Sequence, residues 1–210
     1  MPNNKENDLL KILGRKTSSN VQKVLWCCEE IGLPFERTDV GGEFGKNKEP
    51  EYLALNPNGL VPTINDDGFV LWESNSCVRY LASKYGKGKL WPADAQLAAS
   101  ASRWMDWQLS TVNPPTGTLF RALLRKETLP AADVEAARKR GGEVWKMLDT
   151  QLAKTPFVAG SELTVGDIAM GNAIHRWYKF PIERPDLPNL KKWYERLCTR
   201  PAYQTHIASL

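Results

Sequence analysis

Along this chain the pattern of elements changes character once, near residue 90, and that change confines the fold to two unlike parts joined in series. Before it, extended and helical signatures alternate. Leu9 to Leu13 is a short apolar run that reads as a strand, and the polar turn Gly14-Arg15-Lys16-Thr17-Ser18-Ser19-Asn20 follows it. Val21, Val24, Leu25, Cys28 and Ile31 then recur at helical spacing until Gly32 and Pro34 stop them. Phe35 to Val40 is extended and closed by Gly41-Gly42, and the polar stretch from Glu43 to Asn58 holds one short helix around Glu51–Leu55. Val61–Ile64 and Phe69–Trp72 read as two strands of a hairpin separated by Asn65-Asp66-Asp67-Gly68. A helix from Ser74 to Tyr85 ends this part, which predicts a small mixed sheet with helices packed on it.

Lys87 to Gln96 lacks periodicity and suits a linker. Beyond it no segment has a strand signature. Leu97–Val112 is helical, Pro114-Pro115 breaks or kinks it, and Gly117–Lys126 resumes it. Ala131–Leu152 is a long helix. Thr164-Val165-Gly166-Asp167 opens another with a short capping box, and Asn189–Leu197 is the last clear helix before Pro201.

Composition narrows the function classes. At 42% hydrophobic and 25% charged, the 210 residues match ordinary globular chains. No apolar run approaches the roughly 18 residues of a membrane span. The amino end, MPNNKENDLLKILG, does not read as a secretory signal, which makes the cytoplasm the expected location. The net charge of +4 is spread along the chain. Runs such as Arg138-Lys139-Arg140 and Lys191-Lys192 read as solvated helix faces, so no nucleic-acid partner is expected. Cys27, Cys28, Cys77 and Cys198 form no C-x-x-C pair and share no ligand spacing with His175 or His206, so neither a zinc site nor a disulfide framework is predicted.

Three segments carry possible chemistry. The turn Arg15–Asn20 enters a helix, whose unpaired N–H groups and positive dipole end favour an anion, and a hydroxyl there could hold a thiolate in its ionised form. Ser18, Ser19 or Asn20 could equally be a plain N-cap. In Asn56-Pro57-Asn58-Gly59-Leu60-Val61-Pro62-Thr63-Ile64, a cis bond before Pro62 would turn the Val61 backbone outward to pair with an extended peptide. The alternative is an ordinary trans proline on an edge strand. Trp72-Glu73-Ser74-Asn75 lies where a strand becomes a helix. Glu73 and Ser74 either cap that helix or hold an amino-acid head group, its ammonium on Glu73 and its carboxylate on Ser74.

Taken together, a strand, a Ser-bearing turn and a helix, then G-L-V-P-T, a hairpin, and E-S-N-S-x-x-x-Y-L resemble the amino-terminal domain of the cytosolic glutathione transferases. The all-helical remainder, with its S-x-L-T-V-G-D-I segment, resembles their second domain. The resemblance implies a thioredoxin-like α/β domain (1–86), a linker (87–96) and an all-α helical bundle (97–210). It implies a Ser-type member similar to the theta, phi and nu classes, acting as a cytoplasmic homodimer in detoxification. Glutathione is then the co-substrate, no other cofactor or metal is needed, and its thiolate attacks a hydrophobic electrophile. A glutathione-dependent peroxidase or disulfide reductase, or a non-catalytic glutathione-binding protein, are the alternatives the same fold allows.

Residue by residue, the family pattern S-x-x-x-x-[RK]-V ends at Val24 and places the activating residue at Ser18, with Lys23 in the basic position; Ser19 and Asn20 are the neighbouring choices. Leu60, Val61 and cis Pro62 would meet the cysteinyl unit, Glu73 and Ser74 the γ-glutamyl end, and Lys46 or Lys48 the glycine end. Arg15, Arg103, Trp107, Thr111 and Trp177, with Trp104 and Tyr178, are expected around the electrophile. Arg79 and Met105 are expected at a dimer contact, and Asp106 at the neighbouring subunit's ligand. Cys27 and Cys28 are expected to be packed rather than reactive.

Overall fold

The computed structural model describes residues 9–208. The reading of the amino end as lacking a secretory signal falls mostly on residues 1–8, outside that range. The first part holds strand β1 (Leu10–Leu13), helix α1 (Ser19–Ile31), β2 (Phe35–Thr38), α2 (Pro50–Leu55), β3 (Thr63–Asp66), β4 (Phe69–Trp72) and α3 (Ser74–Tyr85). The sheet order is β2-β1-β3-β4, with β1 parallel to β2 and antiparallel to β3. This is the thioredoxin-like arrangement, and α1 and α3 pack together against it.

The hairpin is shorter than its sequence signature. Asn65 and Asp66 belong to β3, and only Asp67 and Gly68 make the turn, both at positive φ (51° and 88°), as a two-residue hairpin loop requires. β3 starts at Thr63, so Pro62 lies just before the strand. There its missing N–H costs no ladder bond, which lets the segment run into an interior strand rather than the edge strand expected of a proline. The Val61–Pro62 bond is cis. Beneath it Tyr52 on α2 donates from its hydroxyl to the Leu60 carbonyl (2.5 Å) and lies 2.8 Å from the Thr63 hydroxyl, while Asn56 donates to both (2.9 and 3.1 Å). A small polar knot thus fixes the loop before β3.

The second part is helical throughout. α4 (Ala95–Trp107) begins two residues before the expected helix start at Leu97, because Asp94 caps it by accepting from Leu97 N–H at 2.8 Å. Pro114-Pro115 does not interrupt the helix that follows. A π turn over Gln108–Val112 precedes α5 (Asn113–Leu119), and its wider ring accommodates a proline pair that would clash in α-helical register. A second π turn, Phe120–Leu124, continues the rod. α6 (Ala131–Leu152), α7 (Val165–Lys179) and α8 (Pro188–Cys198) follow, and the chain stays helical past Pro201 as α9 (Pro201–Tyr203) and a π turn to Ala208.

One core runs through both parts. Its hinge is α1, whose residues Val21 to Cys28 are all buried between the sheet and α7. Gly171 on α7 admits Trp26 so closely that a Cβ there would lie 2.3 Å from its ring. Glu30 on α1 accepts from Trp26 Nε1 (2.8 Å) and from Arg200 through two bonds (2.7 and 2.6 Å), and His206 pairs with Glu29. The carboxyl-terminal turns are thereby held against the first helix. Cys27, Cys28 and Cys77 lie in this core, where burial pushes the Cys28 and Cys77 thiols up to about 12 and Cys27 well above its usual value. They are packing residues with no accessible thiolate.

Candidate active site

The β1–α1 turn brings the site together. Ser18 occupies the N-cap position of α1 with extended backbone (φ −79°, ψ 121°), yet among the described residues its hydroxyl makes no capping hydrogen bond, and the first turn contains no acidic residue. The positive end of α1 therefore faces the opening unneutralised by any side chain of its own. Gly14 is required here. A Cβ at that position would lie 2.5 Å from Val21 and 3.2 Å from the Val61 Cβ, so the turn and the residue before Pro62 touch.

Three further groups converge on the turn. Ser74, the first residue of α3, donates from its hydroxyl to Asn20 Oδ1 at 3.3 Å, which ties the start of α3 to the start of α1. Glu73 caps α3 by position, but its carboxylate takes part in no capping bond. Its φ of 69° is unusual for a non-glycine residue, and an exposed carboxylate held that way by its neighbours presents itself to a ligand. The Val61 backbone N–H and carbonyl have no partner among the described residues, which leaves a peptide unit free to pair with an extended chain.

The cations sort by position. Lys48 donates to the Asn58 carbonyl at 3.2 Å and lies over Gly59, next to Leu60 and Val61. Lys46, at positive φ, is exposed farther out, where it helps Arg37 and Lys16 hold the Asp39 carboxyl below its usual range. Arg15 lies across Gly41 and Gly42 beside Val61, 3.8 Å from Glu43. It is thus on the peptide side of the turn, not in the space between the two parts.

Behind the turn, Lys23 is buried and donates to Asn75 Oδ1 (3.2 Å) and Gln108 Oε1 (3.1 Å), a polar strut from α1 through α3 to the helical part. Burial lowers its pKa to about 8, partly opposed by Glu73. Asn75 also donates to the Met105 carbonyl (3.0 Å), and Arg79 pairs with Asp106 across α3 and α4. Met105 is fully buried, so it belongs to the core rather than to a surface where another subunit could dock.

A cavity of about 550 Å³ opens on the other side of the turn. Thr17 and Gln22 contribute from the first part, and Phe120 and Leu124 from the rod beyond α5. Asn172, His175, Arg176 and Lys179 line it from α7, and Ile207 and Ala208 from the last turn. Asn172 donates to Gln22 across the junction.

Arg103, Trp104, Trp107, Thr111, Trp177 and Tyr178, expected around the electrophile, are not among the residues that line this cavity. Arg103, Trp104 and Trp107 line a separate groove of about 350 Å³ against Met147 and Gln151 of α6. Thr111 sits in the π turn with its hydroxyl 3.3 Å from Ser110, and Tyr178 stacks on Tyr194 at 4.6 Å between centroids. Trp177 is 1% exposed and packs on Trp145 and Gly141. Each helix turns about 100° per residue, so Trp177 faces the core while its neighbour Arg176 faces the cavity. Sequence reasoning did not single out Arg176, Phe120 and Leu124, which line this cavity. The signal was the pair Arg176-x-x-Lys179 on an otherwise apolar helix, which also reads as ordinary cations at a helix end.

Comparison with known proteins agrees with this architecture. The family model for the glutathione S-transferase N-terminal domain matches residues 17–84, and that for the glutathione S-transferase C-terminal domain matches 112–201. The chain is 39% identical over 198 residues to glutathione S-transferase GstB of Escherichia coli (strain K12), covering 92% of this chain and 95% of the relative. It is 34% identical to glutathione S-transferase 3 of Zea mays, over 96% and 94% of the two chains. Among solved structures, a theta class glutathione S-transferase from Xanthomonas axonopodis pv. citri with glutathione bound superposes with a TM-score of 0.89 at 45% identity, over 94% of this chain and 96% of the other. With both domains matched, the sheet-and-bundle fold in place and an open helix start at its junction, the chain belongs to the glutathione S-transferase family.

Proposed function

We propose that the protein binds glutathione along the Val61–Pro62 segment and conjugates its thiolate to an electrophile held in the cavity between the sheet domain and α7. The observation that carries this reading is the Ser18 hydroxyl, which stands at the start of α1 without a capping role, in the turn whose Gly14 packs against Val61. Val61 pairs with the cysteinyl unit. Glu73 takes the γ-glutamyl ammonium, Ser74 its carboxylate through the backbone N–H at the start of α3, and Lys48 or Lys46 the glycine carboxylate, with Leu60 and Pro62 beneath. Ser18 is the hydrogen-bond donor to sulfur, Ser19 and Asn20 being the neighbouring choices. Asn20 already accepts from Ser74 and serves to join the two halves of the glutathione site.

Magnitudes support a combined effect. A free thiol titrates near pH ~8.5, and lowering that by about 2 units corresponds to about 2.7 kcal/mol. A hydrogen bond to a charged acceptor contributes roughly 1.5–3 kcal/mol and the helix end about 0.3–1. Hydroxyl and helix together suffice. The named relatives are transferases, which favours conjugation over peroxidase, disulfide-reductase or purely binding roles.

We take residues 1–86 as the glutathione domain, 87–96 as the linker and 97–210 as the helical domain. We further infer a homodimer acting in cytoplasmic detoxification. Exposed Phe69 and Trp72 on edge strand β4, with Leu97 and Leu109 on the α4 rod, supply an apolar surface for pairing. No helix among the described residues is long and apolar enough to cross a membrane. Steady-state assays with an electrophile panel test the chemistry. Ser18→Ala is expected to lower kcat far more than glutathione affinity, whereas unchanged turnover in Ser18→Ala would remove Ser18 from the mechanism.

A further inference from the structure

Resting on the conjugation reading, we propose that the electrophile this enzyme is built for carries a carboxylate on an apolar body, and that Arg176 is the residue that selects it. Arg176 projects from α7 into the cavity behind Thr17, half-buried, with its guanidinium 3.9 Å from the Phe120 ring centroid. Among the described residues no oxygen accepts a hydrogen bond from it and no carboxylate pairs with it. Two other arginines, Arg125 and Arg184, are occupied. Arg125 pairs with Glu127 (3.8 Å), and Arg184 donates to the Trp177 and Phe180 carbonyls (3.2 and 2.5 Å).

Among the described residues nothing offsets the charge of Arg176: the cavity is lined by Lys179 and His175 and by no Asp or Glu. Burial and the nearby Arg125 push the guanidinium down to about 10, and burial, then Lys179 and Arg176, hold His175 below its usual value. A planar fork of donors on an aromatic face, with Leu124 and Ile207 as apolar wall beside the polar Thr17, Gln22 and Asn172, fits a bidentate carboxylate attached to an apolar or aryl group. The carboxylates of glutathione have their own partners on the far side of the turn, at Ser74 and the Lys46–Lys48 loop.

The test compares 4-chloro-3,5-dinitrobenzoate with its methyl ester. In both, the thiolate sulfur bonds to the ring carbon bearing chlorine, and the C–Cl bond breaks with its electron pair leaving as chloride. Each kcat/KM is divided by the uncatalysed rate constant. The acid-to-ester ratio is expected to exceed one in the wild-type enzyme and to fall at least tenfold in Arg176→Gln, with Arg176→Lys, which keeps the charge but not the bidentate fork, falling between the two. Both substrates are read on one preparation, so the folded fraction cancels. A ratio that is the same in wild type and Arg176→Gln would overturn the proposal. Binding of 3,5-dinitrobenzoate, which has no leaving group, and of its methyl ester to enzyme loaded with S-methylglutathione separates the two readings. An Arg176-dependent preference for the acid without turnover of either chloro compound would sink conjugation and leave the anion site standing. Turnover of both with no such preference would do the reverse.

Discussion

Two helices of this molecule start in opposite ways. α7 opens deep in the core, and Asp167 at its third position is fully buried. Its two oxygens accept from Val158 N–H (3.1 Å), Trp193 Nε1 (2.9 Å), Thr164 N–H (2.9 Å) and the Thr164 hydroxyl (3.1 Å). α1 opens at the surface of a cleft with three polar residues in a row and, among the described residues, no side-chain cap and no carboxylate. The first helix start is satisfied from within and holds the bundle together. The second has no such partner among the described residues, and on the proposed reading the glutathione thiolate supplies it. Polar residues at a helix start read alike in sequence, and what separates stability from function is whether the protein supplies their partner.

The comparison can be broken most forcefully at α7. Asp167→Ala strands three buried N–H donors and is expected to cost about 3–4 kcal/mol of stability at pH 5, at roughly 1–3 kcal/mol per unsatisfied group with partial relaxation. Denaturant unfolding measures it. The folded fraction should still bind glutathione with wild-type affinity.

At α1 the effect is expected in rate rather than stability. Ser18→Ala should lower kcat/KM about 30-fold, the equivalent of roughly 2 kcal/mol of lost thiolate stabilisation. Its unfolding midpoint should not move, because no capping bond is removed.

Acidity sharpens the contrast further. Burial, outweighing the four donors, raises the Asp167 pKa from 3.8 to about 6. A carboxyl raised on folding contributes fully below its unfolded value and loses that contribution as pH climbs through the folded one. The stability gap between wild type and Asp167→Ala should therefore shrink by about 1 kcal/mol from pH 5 to pH 7, read from paired unfolding curves. The smallest effect is expected in the groove away from both helix starts. There Trp107→Ala should leave kcat/KM within about twofold, while Phe120→Ala, in the cavity, raises the electrophile KM.

The same contrast explains what could be read before any coordinates. Hydrophobic period gave α1, α3 and α6 to within a residue or two, and the paired signals Gly-Leu-Val-Pro-Thr and Glu-Ser-Asn marked the start of β3 and of α3, where the proposed glutathione side lies, because those positions act through backbone and short side chains at element ends. Pro114-Pro115 was harder, since a π turn needs tertiary context to form. The electrophile cavity was the least legible. It depends on the rotation of α7 and of the rod through α5, and one residue of phase separates buried Trp177 from Arg176 in the cavity. Aromatic richness pointed to Trp104 and Trp107, but these turn toward α6.

The most direct test is the ionisation of the bound thiol, followed by ultraviolet absorbance of the thiolate across a pH titration of the glutathione complex. Wild-type enzyme should bring that titration about 2 units below free glutathione. Ser18→Ala should return it most of the way, and Asp167→Asn should leave it where the wild type has it. A bound thiol that titrates like the free one, or that ignores replacement of Ser18, Ser19 and Asn20 in turn, would contradict the assignment of the open helix start as the thiolate site.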